Sequence, residues 1–124
     1  MAGEKVLLVD DDKLMLRIIS EGLGNEYELI QFTDSEKAME YLSDNTVHLL
    51  LTDYILGNTD GFRLGARAKK LQSNLLVLMM SGSIGVKDAL DEWRSQGIVD
   101  AFIEKPFQME SLRKLLSELL GGLS

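Results

Sequence analysis

Strand-like apolar runs alternate with amphipathic, helix-like stretches along the whole chain. The apolar runs have the length and composition of strands and cover residues 5–10, 27–32, 47–53, 75–81 and 99–105. The stretches that follow them carry apolar residues at helical spacing and cover residues 13–23, 34–44, 61–71, 85–96 and 108–120. Strands joined by helical crossovers pair in parallel, with right-handed connections. The alternation therefore predicts an α/β fold of five βα units, a doubly wound parallel sheet with helices on both faces.

The length and composition of the chain limit the classes of protein to which it can belong. Its 124 residues, 45% hydrophobic and 27% charged, are typical of one globular domain, so we expect a single domain over residues 1–124. The absence of cysteine excludes disulfides and cysteine-ligated zinc, and the net charge of −7 argues against direct nucleic-acid binding. With no membrane-length apolar run and no signal-peptide pattern, we expect a cytoplasmic location and no membrane partner.

Local signals predict where several helices begin and which surfaces they present. Asp12 is expected to cap the first helix, and Thr33 followed by Glu36 predicts a capping box for the second. The pair Asp60-Gly61 is predicted as a turn. The last helix carries more leucines than one buried stripe requires, which makes Leu116 and Leu120 candidates for contact with a partner or a second copy of the chain.

Charged or polar side chains stand at the ends of four of the five predicted strands. In an open α/β sheet, ligands bind at the carboxyl ends of the strands, near the point where strand order reverses. The second predicted strand ends in Gln31-Phe32-Thr33, none of which is charged, so we expect this strand at the sheet edge. The predicted strand order is 2-1-3-4-5. The residues that end the other four strands are Asp10, Asp11, Asp53, Ser81 and Lys105.

These side chains would meet at one rim of the sheet and suggest a metal-assisted phosphoryl site. Clustered carboxylates repel, and without a partner at least one would have a raised pKa. A hard divalent cation relieves the repulsion, and Mg²⁺ (or Mn²⁺) prefers oxygen ligands and takes one or two carboxylates together with a phosphate oxygen. Lys105 and Ser81 then have the character of phosphate ligands, and one aspartate is free to act as a nucleophile.

Four short motifs give the chain its resemblance to a known family. They are "VDDD" after the first strand, "TDYILGNTDG" around Asp53, "MSGS" after the fourth strand and "EKPF" after the fifth. In this order and at these strand ends, they resemble the receiver domain of the response regulators of two-component systems, over essentially the entire chain. The resemblance implies a flavodoxin-like receiver fold, with no output domain in this chain. It also implies a signalling phosphoacceptor in a phosphorelay, which catalyses only its own phosphorylation and dephosphorylation and is not an enzyme in the usual sense.

The resemblance implies a role for each residue of the predicted site. Asp53 matches the aspartate that attacks the phosphohistidine of a sensor histidine kinase or histidine phosphotransfer protein. Asp11 matches the direct Mg²⁺ ligand, Asp10 its neighbour that acts through water, and Ile55 a ligand through its backbone carbonyl. The phosphoryl group would be bound by the hydroxyl of Ser81 and the ammonium of Lys105.

The resemblance also implies a conformational switch. Phe102 matches the aromatic residue whose rotamer follows Ser81, and the Lys105–Pro106 peptide is often cis in this family. Phosphorylation would change the face made by the predicted helix 85–96, the strand 99–105 and the helix 108–120. The implied downstream partner is an output domain or a target protein, and a phosphorylation-dependent homodimer is a further expectation. The chain departs from the family in having Leu56-Gly57 where Met-Pro is common, and phenylalanine at 102 where tyrosine is common.

Three other functions compete with this interpretation. Asp10 and Asp12 form an Asp-x-Asp pattern similar to that of haloacid-dehalogenase-type phosphatases, in which the first aspartate is the nucleophile. An FMN-binding protein of the same topology is a second alternative, although three aspartates after the first strand would repel the FMN phosphate. The third is a receiver that binds partners without being phosphorylated. His48, the only histidine, is predicted at the opposite rim and has no expected role in the chemistry.

Overall fold

The five predicted apolar runs form one parallel sheet in the computed structural model of the chain, which describes residues 3–82, 91 and 93–121. The strands are β1 (Lys5–Val9), β2 (Glu28–Phe32), β3 (Leu49–Asp53), β4 (Ile55–Leu56), β5 (Thr59–Asp60), β6 (Leu76–Ser81) and β7 (Ala101–Glu104). The helices are α1 (Lys13–Leu23), α2 (Ser35–Asp44), α3 (Gly61–Leu71) and α4 (Met109–Gly121). The predicted helix 85–96 lies for the most part outside the described residues, so α4 corresponds to the fifth predicted helix.

The order of the sheet is β2-β1-β3-β6-β7, with all neighbours parallel. Since β6 and β7 are the fourth and fifth predicted strands, this confirms the predicted order and the edge position of β2. The apolar composition explains the arrangement, because β1 and β3 are buried on both faces whereas no residue of β2 is fully buried. Within the described part of the chain, no helix is both long enough and apolar enough to cross a membrane.

Alternate residues of each central strand enter two separate cores. Val6 and Leu8 point to the face covered by α1 and α4, whereas Leu7 and Val9 point to the face covered by α2 and α3. Leu116 and Leu120 are buried in the first of these cores. The expectation that they face a partner was wrong, because α4 uses this stripe to pack against α1 and the sheet.

Aspartates cap the N-terminal ends of α1, α2 and α3. The Asp12 side chain accepts a hydrogen bond of 2.9 Å from the Leu14 N–H, which confirms the predicted cap of α1. For α2 the predicted cap was wrong by one residue, because Asp34 rather than Thr33 accepts from the Glu36 N–H, at 2.8 Å.

A two-stranded ribbon between β3 and α3 was not predicted. Ile55 pairs with Asp60 and Leu56 with Thr59, in antiparallel register. The turn that joins them is Gly57-Asn58, with Gly57 at φ +72°. The predicted turn at Asp60-Gly61 was therefore wrong, since Asp60 ends β5 and caps α3 by accepting from the Arg63 N–H.

The opposite rim of the sheet is tied together by the carboxamide of Gln72, which follows α3. Its Oε1 accepts from the Val47 N–H at 3.1 Å. Its Nε2 donates to the carbonyl oxygens of Leu42, at 3.0 Å, and Asn45, at 2.7 Å. The end of α3 is thereby bonded to the segment that leads from α2 into β3.

Candidate functional site

Three aspartates meet at the carboxyl end of the two central strands. Asp10 follows β1 directly and Asp53 is the last residue of β3. Since Val9 is in register with Thr52, the parallel pairing brings Asp10 beside Asp53. One carboxylate oxygen from each of Asp10, Asp11 and Asp53 lies within 4.8 Å of the others. The structure thus brings together the three carboxylates that the strand ends predicted.

Asp10 is the most enclosed of these acids. Its side chain is buried, Oδ1 accepts from the Asp12 N–H at 2.9 Å, and Oδ2 lies 3.3 Å from the Lys105 ammonium. Burial raises the pKa of Asp10 above its ordinary value, and the nearby Asp53 charge raises it further. The Asp12 N–H and the Lys105 charge lower this pKa but do not cancel the effect of burial.

Asp53 is more accessible, with 15% of its side chain exposed. Its Oδ1 lies 3.1 Å from Lys105 Nζ. Burial raises the pKa of Asp53, Lys105 opposes this through its charge and hydrogen bond, and the Asp11 charge adds to the increase. Asp53 is therefore a carboxylate with an open side and with one oxygen already next to a cation.

Among the described residues, Lys105 is the only cation that forms an ion pair with this cluster, through Asp10 and Asp53. It follows β7, its N–H donates to the Ser81 carbonyl oxygen at 2.8 Å, and the Lys105–Pro106 peptide bond is cis. One ammonium cannot balance three carboxylates, so the cluster retains negative charge when all three are ionised. An all-oxygen donor set with excess negative charge and an exposed member, Asp11, suits a hard divalent cation.

The other predicted site residues surround this cluster. Ser81 is buried at the end of β6, one residue beyond Met80, the register partner of Asp53. Ile55 lies in β4, two residues after Asp53, and 59% of the residue is exposed. Phe102 is half-buried in β7, further from the rim and in register with Met79.

An aromatic group next to the site was missed by the sequence reasoning. The Tyr54 and Trp93 rings lie 5.2 Å apart, and the Phe62 and Trp93 rings stack at 5.3 Å. Phe102 packs against the same small core as these three residues. Tyr54 directly follows Asp53, which is the only signal in the sequence, because periodicity does not reveal contacts between residues so far apart along the chain.

Known proteins with similar sequences and structures point to one family. Residues 6–117 match the response regulator receiver domain family. The chemotaxis protein CheY of Halobacterium salinarum is 27% identical, with 95% of this chain and 98% of that protein covered. The cyclic di-GMP phosphodiesterase response regulator RpfG of Xanthomonas campestris is 29% identical over 95% of this chain, which spans about a third of that relative's length (32%).

A solved structure agrees on the fold. The receiver domain protein (CheY-like) from Methanospirillum hungatei superimposes with a TM-score of 0.87 at 24% identity, over 98% of this chain and 96% of that one. The family match covers both central strands and every residue of the acidic cluster. The chain therefore belongs to the response regulator receiver domain family of two-component signalling proteins.

Proposed function

We propose that Asp53 accepts a phosphoryl group from the phosphohistidine of a sensor histidine kinase or a histidine phosphotransfer protein, in a Mg²⁺-dependent transfer. The observation that carries the proposal is the position of Lys105 Nζ, 3.1 Å from Asp53 Oδ1, inside a cluster of three carboxylates. A nucleophile beside a fixed cation, with further acids to bind a metal, is the arrangement that phosphoryl transfer needs.

The transfer exchanges one bond for another. A carboxylate oxygen of Asp53 forms a bond to phosphorus as the N–P bond of the phosphohistidine breaks. The imidazole leaves with the electron pair of the broken bond, and Asp53 becomes an acyl phosphate. Lys105 offsets charge on the phosphoryl oxygens, and the Ser81 hydroxyl donates a hydrogen bond to one of them.

The chain offers the ligands for a divalent cation beside the nucleophile. We propose that Asp11 and Asp53 bind Mg²⁺ (or Mn²⁺) directly, with the Ile55 backbone carbonyl, and that Asp10 acts through water. The cation would supply positive charge to the phosphoryl oxygens. The proposal is supported by the mutual approach of the three carboxylates and by the net negative charge that Lys105 leaves uncompensated.

The consequence of phosphorylation is a change in a partner surface. Movement of Ser81 and Lys105 toward the phosphoryl group would give Phe102 room to turn inward, and the face around β7 and α4 would change. We propose that this face is read by an output domain or target protein, or by a second copy of the chain. The function is signalling by one cytoplasmic receiver domain over residues 1–124, rather than turnover of a separate substrate.

The phosphatase alternative requires Asp10 as the nucleophile, and the geometry of Asp10 disfavours this. Asp10 is buried, and its two oxygens already face the Asp12 N–H and Lys105. Asp53 has an exposed side from which a donor can approach.

Mapping the phosphoryl adduct tests the proposal. The chain is incubated with acetyl phosphate and Mg²⁺, the adduct is trapped chemically, and the modified residue is identified by mass spectrometry. We expect the label on Asp53, its loss in Asp53→Asn, and its retention in Asp44→Asn, a control at an exposed aspartate at the end of α2. A label on Asp10 would support the phosphatase alternative, and no label on the wild-type chain would support a receiver that only binds partners.

A further inference from the structure

We infer that Gly61 is a positioning residue for Asp53, because the N-terminus of α3 rests directly against the main chain of the nucleophile. The inference rests on the proposed function of Asp53. It concerns a residue that carries no reactive group and takes no part in binding the phosphoryl group. What Gly61 contributes is the absence of a side chain at the point where α3 meets the end of β3.

The contact leaves no room for a methyl group. A Cβ placed on Gly61 would lie 2.4 Å from the carbonyl oxygen of Asp53 and 3.2 Å from its carbonyl carbon. It would also lie 3.1 Å from Cγ2 of Thr52. Real Cβ atoms are essentially never found within 3.0 Å of another atom, so an alanine here forces α3 and β3 apart. Gly61 does not have a positive φ, so the requirement for glycine comes from this approach alone.

The main chain around Asp53 has little freedom to absorb such a shift. The Gly61 N–H donates to the Tyr54 carbonyl oxygen at 2.7 Å, and the Tyr54 N–H donates to the Met80 carbonyl oxygen at 2.8 Å. The Asp53 carbonyl oxygen itself accepts from Thr52 Oγ1 at 2.9 Å. These bonds hold the two peptide groups that follow Asp53, so displacement of its carbonyl also moves the carboxylate relative to Lys105.

Other glycines of the chain lack this contact. At Gly65, one turn further along α3, a Cβ would meet a side-chain atom, Cγ1 of Val77, at 3.2 Å. At Gly121, at the end of α4, it would meet nothing within 4 Å. Alanine at Gly65 therefore controls for the effect of lifting α3 from the sheet. Alanine at Gly121 controls for the effect of replacing a glycine in a helix. Neither variant changes the Gly61 contact.

The test compares Gly61→Ala with Gly65→Ala and Gly121→Ala. The initial rate of labelling at Asp53 by acetyl phosphate is measured as Mg²⁺ and acetyl phosphate are varied, after urea titration has established that each variant is folded. We expect Gly61→Ala to lower the maximal rate roughly tenfold or more, because misplacing a reacting group by about 1 Å can cost about 100-fold. We also expect it to raise the Mg²⁺ concentration for half-maximal rate, since Asp53 is a proposed ligand. The other two variants are expected to match the wild-type chain in both quantities.

A pair of substitutions at Thr52 addresses the same contact while Gly61 is kept. Thr52→Val removes the hydroxyl that bonds the Asp53 carbonyl, and Thr52→Ser keeps it and removes the methyl group. We expect the valine variant to label more slowly than the wild-type chain, by less than Gly61→Ala, and the serine variant to label normally. If Gly61→Ala does not fold, equal rates in the two Thr52 variants overturn the inference.

The possible outcomes distinguish the inference from the proposal on which it rests. Normal labelling of Gly61→Ala overturns the inference and leaves the proposed function intact. Equally slow labelling of Gly65→Ala and Gly61→Ala would also overturn it, because the general seating of α3 would then position Asp53. A wild-type chain that is not labelled on Asp53 would instead overturn the proposed function.

Discussion

The three consecutive aspartates at 10–12 occupy three different environments. Asp10 is buried between the Asp12 N–H and Lys105, Asp11 is the exposed member of the acidic cluster, and Asp12 caps α1. Between the end of β1 and the start of α1, consecutive side chains point in different directions, so neighbouring carboxylates have different surroundings. We therefore propose a separate role for each of the three aspartates.

Substitutions at Asp11 and Asp12 should therefore affect different properties, Mg²⁺ binding in the first case and stability in the second. We expect Asp12→Ala to lower the free energy of unfolding by about 1 kcal/mol through loss of the cap, with little change in Mg²⁺ affinity. Asp11→Ala should weaken Mg²⁺ binding most strongly of the three and should leave α1 intact. Urea unfolding and Mg²⁺ titration measure the two quantities. If Asp12→Ala abolished Mg²⁺ binding and Asp11→Ala did not, the assignment would be wrong.

The raised pKa values of Asp10 and Asp53 predict how stability without metal depends on pH. Burial keeps both groups protonated to higher pH in the folded chain than in the unfolded one. Between the unfolded and the folded pKa of each group, the folded chain therefore binds more protons. The free energy of unfolding should then increase as the pH falls from neutral through the raised pKa values, until other acids protonate. Mg²⁺ favours the ionised acids, so its stabilising effect should fall over the same range.

Urea unfolding with a chelator and with Mg²⁺, repeated across this pH range, checks both trends. Asp53→Asn replaces a carboxylate that is costly to ionise with a neutral group of the same shape. We therefore expect it to raise the urea midpoint at neutral pH in chelator and to reduce the benefit of Mg²⁺. A lower midpoint in chelator would mean that the pair with Lys105 outweighs the effects of burial and repulsion.

At the scale of elements, the ribbon β4–β5 depends on the left-handed backbone of Gly57. A proline, with φ fixed near −65°, cannot adopt φ +72°, so Gly57→Pro should destroy the turn and cost roughly 1 kcal/mol or more. A Cβ at Gly57 would lie 4.0 Å from Oδ2 of Asp11, so loss of the turn should also weaken Mg²⁺ binding. Gly57→Asn is the matched control, because asparagine tolerates positive φ. Equal stability of the two variants in urea would contradict the role of this turn.

The elements that could be predicted are those with strong signals at both ends. The predicted bounds 13–23 and 61–71 agree with α1 and α3, each of which begins at an aspartate cap and ends near a change in composition. The ribbon was not predicted because each of its strands has only two residues, too few to show an alternating pattern on either side of Gly57-Asn58. At α2, Thr33 and Asp34 are both good caps, and the choice between them depends on the path of the chain out of β2.

The site was predictable as far as strand ends identify it. Strand order brings Asp10, Asp53 and Lys105 to one rim, and the structure adds the contacts among them. The hydrogen bond between Lys105 and Asp10, over a separation of 95 residues, depends on side-chain rotamers that no sequence pattern specifies. The same is true of the Gly61 contact with Asp53, where the sequence shows a glycine but not the carbonyl oxygen that faces it.

At the scale of the whole molecule, the aromatic group links the residue next to Asp53 to the first turn of α3 and to Trp93. Trp93 is the only tryptophan of the chain, and it contacts Tyr54, the residue next to Asp53. We expect tryptophan emission to change when a phosphoryl mimic such as beryllofluoride binds with Mg²⁺. Asp53→Asn should abolish the change, whereas Phe62→Leu should alter its size. Unchanged emission in a chain that is labelled on Asp53 would mean that Tyr54 and Trp93 do not respond to the site.

The two ends of α3 are held in different ways, and this limits how the helix can move. Gln72 bonds three backbone groups at one end, whereas Gly61 touches the main chain of Asp53 at the other without a side chain between them. Motion that begins at Asp53 should therefore rotate α3 about Gln72 rather than translate it. Since α3 has 11 residues and is about 16 Å long, a displacement of about 1 Å at its Gly61 end corresponds to a tilt of about 4°. Side chains on the first turn of α3 would move with Asp53, and those near Gln72 would remain almost stationary.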